Sequence, residues 1–249
     1  MGNPLWKSDG TSRGTVRVRG WADYEYGSTA ILDHVAVNGT LFFSLDSVDA
    51  VGTELWKSDG TRAGTVLVKD IYPGRGSSDP QGLTNVDGTF YFSADDGGHG
   101  RELWKSDGTA RGTVRVKDVQ VGRKSSFPSQ LTPCNGQLFF AAREDEHGRE
   151  LWRTNGTRAG TTLLRDLKPG RADSYPTQLT CLARGPAFAA HDGKHGRELW
   201  TSDGTARGFT LHNLAVGSSA PIGLTPVGRT LFFTARDPVH GRELWTLRP

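Results

Sequence analysis

Methionine is nearly absent and cross-links are scarce: the 249 residues hold one Met and two Cys, Cys134 and Cys181. Two cysteines are too few to build a disulfide scaffold. No apolar run approaches the ~18 residues of a membrane span, and residues 1–6 carry no signal-peptide core, so a soluble chain without membrane insertion is expected. Neither charge sign dominates. With 30 basic residues against 27 acidic ones, interspersed, the formal net charge is +3. That leaves no electrostatic footprint for nucleic acid. Also missing are a Gly-x-Ser-x-Gly elbow, a Cys-x-x-Cys pair, a His-Glu-x-x-His helix and a phosphate loop. An enzyme is therefore not expected, and neither is a cofactor or a metal site.

Glycine is abundant at 33 residues, against a usual share of roughly 7%, and it falls in a repeat. The pair Leu-Trp recurs with its Trp at Trp6, Trp56, Trp104, Trp152, Trp200 and Trp245, spaced by 50, 48, 48, 48 and 45 residues. A period of 40 to 50 marks repeated modules. The units read ELWKSDGTRAGTVLVKD from Glu54, ELWKSDGTARGTVRVKD from Glu102, ELWRTNGTRAGTTLLRD from Glu150 and ELWTSDGTARGFTLHNL from Glu198. These motifs resemble the bacterial ELWxxDGT repeat family over essentially the whole chain. The resemblance implies a surface or exported repeat protein, extracellular or at the cell surface, and this segment could belong to a longer parent.

Alternation within a unit has period two. Val66 and Val68 fall on one face and Thr65, Leu67 and Lys69 on the other, while Thr113, Arg115 and Lys117 make the equivalent face polar, as suits an outermost strand. The Glu-Leu-Trp and Leu-Phe-Phe runs are apolar on both faces, as in strands sandwiched between layers. Asp87-Gly88, Asn135-Gly136, Asp107-Gly108 and Asn155-Gly156 read as tight hairpin turns. Linkers of about a dozen residues, such as residues 71–82, carry Pro80, Pro128, Pro176 and Pro221, each three residues before the Leu that opens the next unit.

Four antiparallel strands per unit predict an all-β fold: a five-bladed β-propeller of four-stranded blades in a single domain, residues 1–249. The repeats are approximately 20–69, 70–117, 118–165, 166–213, and 214–249 plus 1–19. The N- and C-terminal strands are expected to share one blade and close the ring, with Leu5-Trp6 rather than Leu244-Trp245 in its third position. Cys134 and Cys181 differ by one residue in strand position. They are therefore expected on opposite faces, as free thiols.

Candidate ligand contacts cluster in two sets of loops. The loops between second and third strands carry His99, His147, His195 and His240 beside Arg101, Arg149, Arg197 and Arg242, with Asp95, Asp96, Asp145 and Asp192 near. The linkers add Arg75, Arg123 and Arg171. Repeated imidazole, guanidinium and carboxylate groups could bind sugar hydroxyls or an anion, or they could simply pair and cap turns. Trp21 and Tyr24, in an aromatic cluster read as off the repeat register, add a blade-specific contact surface. The expectation is a monomeric, non-enzymatic, multivalent carbohydrate-binding module that takes a glycan or cell-surface ligand. A protein-interaction scaffold and a propeller hydrolase or lyase with one central site are the alternatives.

Overall fold

The computed structural model describes residues 4–21, 30–46 and 51–248. All regular elements there are strands, arranged in six antiparallel sheets. Two compact units divide the chain, Met1–Ser125 and Ser126–Pro249.

The first unit opens with the hairpin β1 (Leu5–Lys7) and β2 (Val16–Arg19), a two-stranded sheet. Two four-stranded sheets follow, each in simple up-and-down order. One holds β3 (Ala30–Val37), β4 (Thr40–Asp46), β5 (Glu54–Ser58) and β6 (Val66–Lys69); the other holds β7 (Gln81–Val86), β8 (Thr89–Asp95), β9 (Arg101–Ser106) and β10 (Val114–Lys117). The middle strands are the apolar ones because they are covered on both faces. Phe42, Leu55, Phe90, Phe92 and Trp104 fuse into one core between these two sheets. Phe43, Leu45 and Trp56 form a second core on the other side, closed by Trp21.

The second unit repeats the plan. Its four-stranded sheets are β11 (Ser129–Cys134), β12 (Gln137–Glu144), β13 (Gly148–Thr154) and β14 (Thr162–Arg165), then β15 (Thr177–Leu182), β16 (Gly185–His191), β17 (Arg197–Ser202) and β18 (Phe209–His212). A three-stranded sheet ends the chain: β19 (Ile222–Val227), β20 (Thr230–Asp237) and β21 (Gly241–Leu247).

Several expectations change. In the last sheet β21 pairs β20 from Leu231↔Leu247 to Asp237↔Gly241, so Trp245, not Trp6, fills the third position there. The uninterrupted seven-residue register explains why: β21 follows β20 through a short turn and needs no distant partner. Asp87-Gly88 and Asn135-Gly136 do turn through paired positive φ values (49° and 89°, 51° and 72°), but in the DGT turns only the glycine does (Gly108, 87°). There the Asp carboxylate organises the chain instead. Thr109 N–H and hydroxyl both donate to Asp107 Oδ1 at 2.8 Å, and Gly112 N–H donates to Thr109 Oγ1 at 2.9 Å. Thr65 and Thr113, placed by alternation on the outer face, are fully buried, and each shares a hydrogen bond with a Ser hydroxyl (Ser58, 2.8 Å; Ser106, 2.7 Å).

The thiol expectation is overturned. Cys134 and Cys181 form a disulfide with a Cα–Cα distance of 5.2 Å. Alternation sorts side chains within one sheet, whereas β11 and β15 are the edge strands of two different sheets. A one-residue offset is what brings the two sulfurs together across that seam.

Candidate functional site

Each linker is organised by the Glu that opens the ELW motif. Burial of Glu54, Glu102, Glu150 and Glu198 is complete. A buried carboxylate must find donors, and here the linker backbone supplies them. Glu150 accepts from Leu167 N–H (3.1 Å), Ser174 N–H (3.0 Å) and Ser174 Oγ (2.6 Å). Glu54 takes Ile71, Tyr72 and Ser78 in the same way, and Glu198 takes Leu214 and Ser219. Desolvation dominates the electrostatics and raises the pKa of Glu54 to about 6 and of Glu150 to about 7.

The arginines two residues after each His hold the next part of the linker. The residue before each recurring proline sits at positive φ: Asp79 (46°), Phe127 (49°), Tyr175 (50°) and Ala220 (44°). For a bulky residue this backbone is strained, on the order of 1–3 kcal/mol, and the following proline narrows its options further. In each case an arginine binds that residue's carbonyl. Arg101 Nη1 donates to Asp79 O (2.6 Å), Arg149 Nη2 to Phe127 O (3.0 Å), Arg197 Nη1 to Tyr175 O (3.1 Å) and Arg242 Nη2 to Ala220 O (3.1 Å). Arg149 also reaches Ser129, and Arg197 reaches Thr177. The guanidinium forks thus meet backbone and hydroxyl groups of the linkers, and Arg101 also faces the Asp79 carboxylate at 3.7 Å.

The histidines close their own turns. Nδ1 of His99 lies 2.9 Å from Asp96, that of His147 2.5 Å from Glu144, that of His195 2.6 Å from Asp192 and that of His240 3.2 Å from Asp237. Backbone N–H groups of His99, His195 and His240 donate to the same Asp at 2.8 Å. The hydrogen bond that the His147 ring makes to the Glu144 carboxylate raises the His147 pKa. Burial works against ionisation of Asp192, yet the His195 and Lys194 N–H groups and the His195 ring bring it down to about 2. Asp96 faces both the His99 ring and the Arg115 guanidinium, the latter at 3.2 Å.

Arg75, Arg123 and Arg171 are exposed on the linkers. Asp95, next to Asp96, accepts from Gly97 N–H at 2.7 Å. Tyr24 lies outside the described residues. Trp21 is in register after all: it follows β2 as Ile71 follows β6, and it packs edge-on against Trp56 (6.1 Å) and Phe43 (6.4 Å). Pattern reading missed it because Gly20 replaces the Asp that precedes the apolar residue elsewhere, as in Asp70-Ile71 and Asp166-Leu167.

Sequence reasoning also passed over two exposed aromatic rings held by these clamps. Phe127 is 55% and Tyr175 52% exposed. The Tyr175 hydroxyl hydrogen-bonds Asp173, which pushes its pKa up, and Asp173 in turn faces Arg143 Nη1 at 3.4 Å. The arrangement is a solvent-facing ring with a carboxylate and a guanidinium at its polar end. Their signal was in the sequence, as an aromatic directly before the linker proline.

No family model and no curated protein matches the chain. Among solved structures it is similar to a puromycin hydrolase, 18% identical with a TM-score of 0.56, over 98% of this chain and 40% of that one. It is also similar to a structure from a study of two prolyl endopeptidases, 13% identical with a TM-score of 0.59, over 98% of this chain and 37% of that one. The chain thus spans about two fifths of the length of these proteins, and the likeness is one of fold: β-propeller-like, with four-stranded blades.

Proposed function

We propose that this protein is a non-enzymatic binding module whose ligands are carbohydrates, and that its contacts are the exposed pre-proline aromatics rather than the histidine turns. The observation that carries this reading is the pair Phe127 and Tyr175. Both rings are left in solvent while a proline and an arginine hold the backbone beneath them in a strained conformation. Strain concentrates at functional positions. A rigid aromatic face with a polar edge suits a sugar ring, whose C–H face stacks while its hydroxyls meet Asp173 and Arg143. The histidines and Arg101, Arg149, Arg197 and Arg242 then act one step back, as supports.

The ELWxxDGT resemblance favours an exported repeat protein, and an inter-sheet disulfide fits an oxidising compartment. We infer a five-bladed ring for the repeat set. Four complete blades are joined by β19–β21 and by the hairpin β1–β2, which between them hold one strand more than a fifth blade requires.

A glycan array followed by calorimetry tests the proposal. Tyr175→Ala and Phe127→Ala should each lower affinity at least fivefold without moving the melting temperature by more than 2 °C, because both rings are exposed. Absence of any glycan binding, or binding untouched by both substitutions, refutes it and favours the protein-scaffold reading.

A further inference from the structure

A second surface of the first unit is unlike its repeats. Beside the hairpin β1–β2 lies a pocket of about 320 Å³ lined by Lys7, Arg17, Arg19 and Arg62, with Gly20 and Thr61 between them. Four cations line it and no carboxylate does. Its volume falls at the lower end of the roughly 300–1,000 Å³ of small-molecule sites.

The combination of four cations with no carboxylate is specific to this place. The next β-hairpin, β5–β6, carries Lys57, Leu67, Lys69 and Asp70 in the positions of Lys7, Arg17, Arg19 and Gly20, and the turn packed on it has Ala110 in place of Arg62. In the second unit the same places hold Arg153, Leu163, Arg165, Asp166 and Ala206. Relative to those two repeats, two arginines have been added and one carboxylate removed; the β9–β10 repeat carries Lys105, Arg115, Lys117 and Arg158 at the four cationic places but keeps Asp118 in the place of Gly20. The removal has a steric counterpart: a Cβ on Gly20 would lie 2.3 Å from Arg17 Nη2, so the guanidinium occupies the space of the missing side chain. Arg115, the other arginine at the Arg17 position, is ion-paired with Asp96 at 3.2 Å.

The framework of the pocket is rigid. Arg19 donates to the Thr65 carbonyl and lies over the Trp56 ring at 5.2 Å, just as Lys69 donates to Thr113 O (2.7 Å) and lies over Trp104 at 5.7 Å. Lys7 helps lower the pKa of Asp59, after the hydrogen bonds its Oδ1 accepts from Thr61 Oγ1 (2.7 Å) and Thr61 N–H (2.8 Å). Like charges gathered in one cleft repel, and an anion with several acceptor oxygens relieves that repulsion while matching the planar donor fork of arginine.

We propose that this pocket binds a tetrahedral oxyanion ester, a sulfate or phosphate group carried on a small polar molecule. It lies in a different unit from Phe127 and Tyr175 and is independent of the sugar-stacking reading. The test is calorimetry on the full chain at 150 mM NaCl with glucose 6-sulfate, glucose 6-phosphate and glucose as probes. One ester or both should bind with a stoichiometry of one, and the preferred ester identifies the group; glucose should not compete. The variant Arg17→Leu, Gly20→Asp, Arg62→Ala restores residues found at the same positions in other repeats, so it should fold with an unchanged melting temperature and bind at least tenfold more weakly. Saturable binding of neither ester, equal binding of unmodified glucose, or undiminished ester binding by the triple variant overturns the proposal.

Discussion

Reduction of the Cys134–Cys181 bond is the perturbation whose size follows most directly from the structure. The bond closes a loop with a sequence separation of 47 residues between two sheets that share no ladder hydrogen bonds. In the chain-entropy treatment a loop of that length removes about 4 kcal/mol of conformational freedom from the unfolded state. Both cysteines lie in the unit Ser126–Pro249, and for a unit of this size about 4 kcal/mol corresponds to a shift on the order of 15 °C. Calorimetric melts of the full chain with and without a phosphine reductant should therefore differ by roughly that amount. Hydrogen exchange should show the loss of protection falling on the second unit, with residues 4–125 little changed. A difference under 3 °C between oxidised and reduced protein would refute the argument, as would two free thiols in the air-oxidised protein by mass spectrometry.

The buried glutamates make stability depend on pH. Their carboxyls are harder to ionise in the fold than in the unfolded chain, so the native state holds extra protons between the ordinary value of 4.5 and about 6 for Glu54 or about 7 for Glu150. That contribution is fully present below pH 4.5 and is lost as pH rises through 6 to 7, at about 3 kcal/mol for Glu150. Denaturant titrations at pH 5 and pH 8 should show the loss, and Glu150→Gln should flatten it while lowering stability at both. At the DGT turn, a Cβ on Gly112 would lie 2.0 Å from Asp107 Oδ1, so Gly112→Ala should destabilise by about 1–3 kcal/mol in the same assay. A neutral effect there would mean that the Asp107–Thr109 bonds do not shape the turn.

Much of the fold was legible because repetition averages out local ambiguity. One Phe-Tyr-Phe run is an undecided apolar segment, but a similar run followed 12 or 13 residues later by the Trp of Glu-Leu-Trp in each unit reads as a pair of buried strands. Gly112, three residues after the DGT threonine, carried no such local signal, because its reason lies in the Asp107 carboxylate pressed against it. The candidate site was harder. His99 and Arg101 look like ligand groups because imidazole and guanidinium usually are exposed or paired with partners near in sequence. Their actual partners divide: the His partner is three residues away, and the Arg partner, Asp79 O, is 22 residues away on a linker.

What the amino-acid order determined alone is therefore the strand pattern and the apolar middle strands, since both follow from side-chain periodicity. The tertiary structure decided which groups are spent and which are free. It committed the arginines to carbonyls, buried the glutamates under linker amides, joined Cys134 to Cys181 across two sheets and left Tyr175 and the Arg17 pocket facing water. Those outcomes depend on distances between segments tens of residues apart, and a periodic sequence specifies such segments identically until packing sets them against different neighbours.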